Sequence, residues 1–151
     1  MQMRPADMDD IPTLVALRKQ QLIDEDGGLQ PIAEIDRHLA EYFASAMADG
    51  SLVVWVTEVD SEIIATGAVC FYALPPTFLN PTGRVAYITS MYTKNEYRCR
   101  GIATELLGMA ICEAKARGCR VLRLHASENG RSIYQKAGFI DSDGYMAMKI
   151  G

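Results

Sequence analysis

Apolar positions along the chain change period several times, and each change marks an element. Met1–Pro5 reads as a short edge strand. Asp7 to Asp10 then supplies a helix start, with Asp7 placed to cap and acids in the first turn. Ile11, Leu14, Val15, Arg18 and Leu22 follow, the apolar members at helical spacing. Asp24–Gly28 breaks that helix. Pro31 opens a second, in which Ile32, Ile35, Leu39, Tyr42, Phe43 and Ala46 line one stripe, and it ends near Asp49-Gly50.

The middle of the chain changes character. Ser51–Val59 is rich in β-branched and aromatic residues, Asp60-Ser61 is a turn, and Glu62–Tyr72 is a second strand, so the pair reads as a hairpin. Leu74–Gly83 holds Pro75, Pro76 and Pro81 and reads as a loop, after which Arg84–Thr93 is a third strand of the run. Helical spacing returns in Gly101–Arg117 with Ile102, Leu106, Ala110 and Ala114, and Gly118 is its stop. Arg120–Ala126 is a strand, Gly130–Lys136 a short helix ended by Gly138, and Phe139–Asp141 with Tyr145–Ile150 a closing hairpin around Ser142–Gly144. The expected order is β-α-α-β-β-β-α-β-α-β-β, a single α/β domain over 1–151 built on a mixed central sheet.

Composition narrows the class. A length of 151 residues suits one domain with one sizeable core. The formal net charge of −4 argues against nucleic acid or an anionic membrane as partner, although a local basic site for an anionic ligand is still compatible with it. Cys70, Cys99, Cys112 and Cys119 form no Cys-x-x-Cys pair and, with His38 and His125 alone, no credible zinc set, so no metal is expected. Met1–Asp10 carries charges and lacks the apolar core of a signal peptide, and no apolar stretch approaches the ~20 residues of a membrane span. A cytoplasmic protein with reduced thiols is the expectation.

Candidate chemistry gathers in Thr93-Lys-Asn-Glu-Tyr-Arg-Cys-Arg-Gly-Ile-Ala-Thr104, which leaves a strand, turns and opens an amphipathic helix. The first N–H groups of a helix have no internal partner and, with the helix dipole, form an anion site. Gly101 and Ala103 lack bulk there, so a pyrophosphate could approach the main chain. Arg98 and Arg100 add positive charge at that same end, unfavourable for the dipole unless an anion lies between them. Read by itself, the segment is equally a solvated strand-to-helix turn.

Arg98-Cys-Arg-Gly101-Ile-Ala103 resembles the Gln/Arg-x-x-Gly-x-Gly/Ala signature of the GNAT acetyltransferases. Ser132–Phe139, a short helix with Tyr134 ending in Gly138-Phe139, is similar to that family's second signature, and the element order matches from end to end. The resemblance implies an acetyl-CoA-dependent N-acetyltransferase that acylates a primary amine by direct attack in a ternary complex. It places acetyl-CoA in a gap between Arg84–Thr93 and Arg120–Ala126. The backbone around Met91, Tyr92 and Thr93 would pair with the pantetheine arm. Arg98, Cys99, Arg100, Gly101, Ile102, Ala103 and Thr104 would hold the pyrophosphate. Tyr134 matches the family's general acid, though an aromatic at that place also packs a core.

Two departures bear on this. Ser127 stands where many members have an asparagine that contacts pantetheine, and Tyr87 stands where some have a glutamate base. A water relay through backbone, Tyr87, Ser90 or His125 could substitute; His125 is read first as structural. Cys99 has no assigned activating neighbour and serves through its backbone. Arg131 either meets the CoA phosphates or caps its helix. The acceptor is expected between the two N-terminal helices and the Leu74–Gly83 loop, with Asp24, Glu25, Asp26 and Glu34 as candidate acids and Leu74, Phe78 and Leu79 as an apolar wall. The alternative function is a non-catalytic acyl-CoA-binding sensor; a nucleotide-binding protein is disfavoured by the absence of either glycine-rich nucleotide motif. A homodimer formed through an exposed strand such as Tyr145–Ile150 is also compatible with the sequence.

Overall fold

Alternation in Leu52–Val59 sends Leu52, Val54 and Val56 to one face of a sheet and Trp55 to the other. That segment is β2 of the computed structural model, which describes residues 1–26, 32–142 and 144–151. The elements in chain order are β1 (Gln2–Pro5), α1 (Ile11–Glu25), α2 (Ile35–Asp49), β2 (Leu52–Val59), β3 (Glu62–Ala73), β4 (Arg84–Thr93), α3 (Ile102–Ala116), β5 (Val121–Arg123) and α4 (Arg131–Lys136), with single 3-10 turns at Met8–Asp10 and Asn95–Tyr97. The helix start expected at Pro31, the Gly27-Gly28 end of the preceding break and Asp143 of the last turn lie outside the described residues.

The strands lie side by side in the order β1-β2-β3-β4-β5, antiparallel except for the parallel β4–β5 pair. The sheet is therefore mixed, as expected. Asp60 and Ser61, both at positive φ (50° and 65°), make the tight β2–β3 turn. Helices cover both faces. Leu14, Val15 and Leu17 of α1 and Phe43 and Ala46 of α2 bury one face against β2 and β3. Ile102, Leu106, Leu107, Ala110 and Ala114 of α3 bury the other against Ile64, Val69, Ala86 and Ile88. β3 is buried without a break from Ile63 to Val69 because both its faces are covered.

Two features of β4 set the geometry of its free edge. Thr66 pairs with Tyr92 and Ala68 with Thr89, so Gly67 alone faces Ser90 and Met91. β4 thus carries one extra residue, a bulge, with Ser90 at φ 52°. Gly67 leaves room opposite it for the Met91 side chain: a Cβ there would come within 2.8 Å of the Met91 sulfur. Second, β5 pairs with β4 only at Val85–Tyr87 and then ends. The bulge increases local twist, so the two parallel strands part and β4 runs on from Ile88 to Thr93 with one edge open.

One expectation is corrected. Phe139–Asp141 and Tyr145–Ile150 form no strand among the described residues, and the sheet ends at β5. The segment keeps its alternating apolar pattern but is highly exposed, with Met146 at 97% and Ile150 at 86%. A pattern gives a segment the capacity to be a strand; a ladder partner makes it one, and these residues have none. The Tyr145 ring, under the Arg123 guanidinium at 4.8 Å, ties the segment to β5. No helix among the described residues is long and apolar enough to cross a membrane.

The start of α1 is anchored by charge. Asp7 and Asp10 form a reciprocal capping box, and Arg4 donates to Asp10 (2.7 and 2.9 Å) and to Glu58 (2.7 Å). The Arg4 guanidinium holds the Asp10 carboxyl below its ordinary value. Its contribution is therefore complete above the ordinary carboxylate range and is lost as pH falls through that range and below. Asp10→Ala is expected to cost about 1–2 kcal/mol at neutral pH and to flatten the acid limb of stability, as read by denaturant unfolding against pH.

Candidate active site

The open edge of β4 has a defined chemistry. Lys94 N–H donates to the Ile64 carbonyl at 3.0 Å, so in the antiparallel ladder Tyr92 also turns its peptide groups toward β3. The alternation then turns those of Thr93 and, one step back, Met91 outward. Two side chains reach these outward groups. Gln21 Nε2 donates to the Met91 carbonyl (3.2 Å) and Arg98 Nε to the Thr93 carbonyl (3.0 Å). Met91 and Thr93 thus border the gap as expected. Tyr92 does not: its backbone belongs to the ladder and its side chain packs at the margin of the α1–α2 core. Its hydroxyl donates to Asp24 at 3.1 Å. Above all burial, and then that bond, hold the phenol above its ordinary value.

Beyond the open edge lies the turn for which the sequence suggests an anion site. Cys99 (φ 61°) and Gly101 (φ 81°) are both left-handed, and Gly101 is the N-cap of α3 without any side-chain cap bond. The first bond into the helix is Glu105 N–H to the Gly101 carbonyl, so the amides of Ile102, Ala103 and Thr104 have no helical acceptor. A Cβ on Gly101 would meet no atom within 4 Å, which leaves open space before these amides. The two arginines fold back onto the turn. Arg98 lies over the Tyr92 ring (5.7 Å), and Arg100 lies over Tyr97 (5.3 Å) and donates to the Glu96 carbonyl (3.0 Å). Their charge stays at the helix N-terminus while their donors brace the loop.

Tyr134 lies on α4 across the gap, half-buried against the α3 core, its ring 6.0 Å from that of Phe139. Gly130 makes room for it: a Cβ there would come within 2.9 Å of the ring. Burial, and then the negative charge of Glu25, raise the phenol above its ordinary value. Tyr134 is therefore a protonated hydroxyl at neutral pH, and it makes no hydrogen bond among the described residues. Ser127 accepts the Gly130 N–H at its Oγ (3.2 Å) while its carbonyl receives Arg131 N–H (3.0 Å), so it shapes the turn into α4. Arg131 pairs with Asp141 at 2.7 Å, and its guanidinium is engaged there. His125 is exposed beyond the end of β5.

The network at the end of α1 was not evident in the sequence. Buried Gln21 donates through Nε2 to Glu25 (3.0 Å) as well as to Met91, and its Oε1 accepts from Arg18 Nη1 (3.0 Å). One amide therefore ties a carboxylate, a guanidinium and the β4 bulge together. Asp24 is held by Tyr92 and lies 3.9 Å from Arg98. Asp26 is the C-cap of α1, and Glu34 faces Arg37 and His38 on the surface.

On the α1–α2 side of the sheet a cleft of about 310 Å³ opens against β4. Arg18, Tyr42 and Phe43 reach it from the helices, and Tyr87, Thr89 and Ser90 from β4. The expected wall from the 74–83 loop is not part of it: Phe78 and Leu79 are exposed (107% and 89%). Nor do the four candidate acids line it. Tyr87, at the place of the missing glutamate, does.

Comparison with known proteins places this arrangement. Residues 19–139 match the model of the Acetyltransferase (GNAT) family. A predicted acetyltransferase from Clostridium acetobutylicum, crystallised with acetyl-CoA, is 44% identical; the match covers 98% of this chain and 95% of that one with a TM-score of 0.93. A GCN5-related N-acetyltransferase from Ralstonia eutropha JMP134 is 25% identical, covering 99% of this chain and 97% of that one, with a TM-score of 0.90. No curated protein sequence matches closely enough to count as a relative. With a family model matched over 121 of its 151 residues, residues 19–139, the chain belongs to the GNAT acetyltransferase family.

Proposed function

We propose that this chain transfers an acetyl group from acetyl-CoA to a primary amine. The observation that carries the reading is the bare α3 N-terminus at the end of the open β4 edge, with the Tyr134 phenol close enough to Glu25 to feel its charge. The amides of Ile102–Thr104 suit a pyrophosphate, and the outward peptide groups of Met91 and Thr93 suit an extended amide-bearing arm. Acetyl-CoA in the homologous Clostridium acetobutylicum structure supports the same assignment.

In this reading the amine enters from the α1–α2 cleft and its lone pair attacks the thioester carbonyl carbon. Main-chain N–H at the β4 bulge stabilises the developing oxyanion. As the carbon–sulfur bond breaks, Tyr134 gives its proton to the departing thiolate. Glu25, held by Gln21 outside the cleft, takes the proton released by the amine through water, and the phenol is restored from it. The products are an N-acetyl amide and free CoA thiol.

Glu25→Gln keeps the bond to Gln21 but removes the base. It is expected to lower kcat roughly 10- to 10²-fold with acetyl-CoA affinity unchanged, measured by steady-state CoA release and by titration calorimetry. For the reading as a whole, calorimetry with acetyl-CoA is the first test. Saturable micromolar binding supports it, and absence of heat and of displacement at high micromolar ligand overturns it.

A further inference from the structure

We propose that the acceptor is a small primary amine that also carries an anionic group, and that Arg18 binds that group. This rests on the transferase reading and names the substrate class of the same site. Among the side chains lining the α1–α2 cleft, Arg18 is the one charged at neutral pH, and no carboxylate lines it. An acceptor recognised only as a cation calls for the reverse.

Arg18 forms no salt bridge among the described residues. Its one side-chain hydrogen bond is from Nη1 to the neutral Gln21 amide at 3.0 Å. Gln21 is itself fixed by donating to Glu25 and to Met91. The guanidinium is thus oriented from behind, with further N–H donors uncommitted. The Gln21 amide offsets only part of what a half-buried guanidinium gives up to water, and the fork of free donors suits a carboxylate or a phosphate.

Position and size agree. The same cleft contains Thr89 and Ser90 at the β4 bulge's leading side, so an anion at Arg18 holds the rest of a short molecule against the strand along which the thioester would lie. Tyr42 and Phe43 from α2 and Tyr87 from β4 supply apolar surface for its body. A volume of about 310 Å³ lies at the small end of ligand sites and fits an amino acid or an amino phosphate better than a large polyamine or a protein tail.

Matched acceptors test this: leucine against leucinamide for a carboxylate, and O-phosphoethanolamine against ethanolamine for a phosphate, each by CoA release with acetyl-CoA saturating. Leucinamide has the less basic amine and is the better nucleophile near neutrality, so chemistry alone favours it. The expected result is kcat/KM at least 10-fold higher for the anionic member of one pair, and that pair identifies the anion. In Arg18→Gln that preference should be lost, the ratio falling to one or below. Arg18→Lys, which keeps the charge and loses the fork, should fall between. Equal or better turnover of the neutral members overturns the inference and leaves the transferase reading standing, as does an acid preference that survives Arg18→Gln. Acetyl-CoA binding with no turnover of any of the four, nor of a wider amine panel, overturns the transferase reading and the inference with it.

Discussion

Tyr134→Phe is expected to lower kcat by roughly 10²- to 10³-fold while the KM for acetyl-CoA moves by less than about threefold. The change removes one oxygen atom. The ring, its edge contact with Phe139 and its fit over Gly130 are retained, so fold and cofactor site stay in place. What is lost is a proton donor for the thiolate. Burial and the Glu25 charge hold the native phenol above its ordinary value of 10. The acid therefore remains protonated through neutrality, and its own loss shows only as pH rises past about 10. Glu25→Gln removes the smaller of these two effects, so the alkaline limb should move down. A Tyr134→Phe enzyme with native kcat would remove this residue from the reaction.

Ala103→Asp should weaken acetyl-CoA binding by roughly 10²- to 10³-fold, since a carboxylate some 4–5 Å from a pyrophosphate costs about 3–4 kcal/mol at an effective dielectric near 20. The position is the second residue of α3, whose first turn has no capping side chain. An aspartate there complements the helix dipole and adds about 0.3–1 kcal/mol of stability. The two effects have opposite signs, which separates loss of the site from damage to the fold. Thermal unfolding should show an unchanged or slightly raised Tm, and calorimetry the lost affinity. Unchanged affinity would place the pyrophosphate elsewhere.

Much of this was readable in the chain because the signals are local. Arg84–Thr93 and the α3 helix from Ile102 obey their own periodicities, and Gly101 and Gly118 lie at positive φ where turn chemistry demands it. The bulge was not legible. Ser90 is no glycine, and the extra residue exists only relative to the partner strand, where Gly67 yields to Met91. Arg18 and Gln21 were equally hidden, since on a helix they read as ordinary polar positions, and Glu25 stood out only as one of four candidate acids. Their meaning lies in a contact such as Gln21 to Met91, seventy residues apart. β5 is shorter than its apolar run because its partner diverges after Tyr87. The C-terminal residues have no ladder partner among the described residues, and there pattern overreached structure.

Acetyl transfer is the central claim, and the measurement that bears on it most directly is amine-dependent release of CoA thiol from acetyl-CoA by the purified chain. The expected result is one equivalent of thiol per N-acetyl amide formed, at a rate that saturates with a small anionic amine and collapses in Tyr134→Phe. Tight acetyl-CoA binding with thiol release no faster than spontaneous hydrolysis, whatever amine is supplied, would contradict it and make the chain an acyl-CoA sensor.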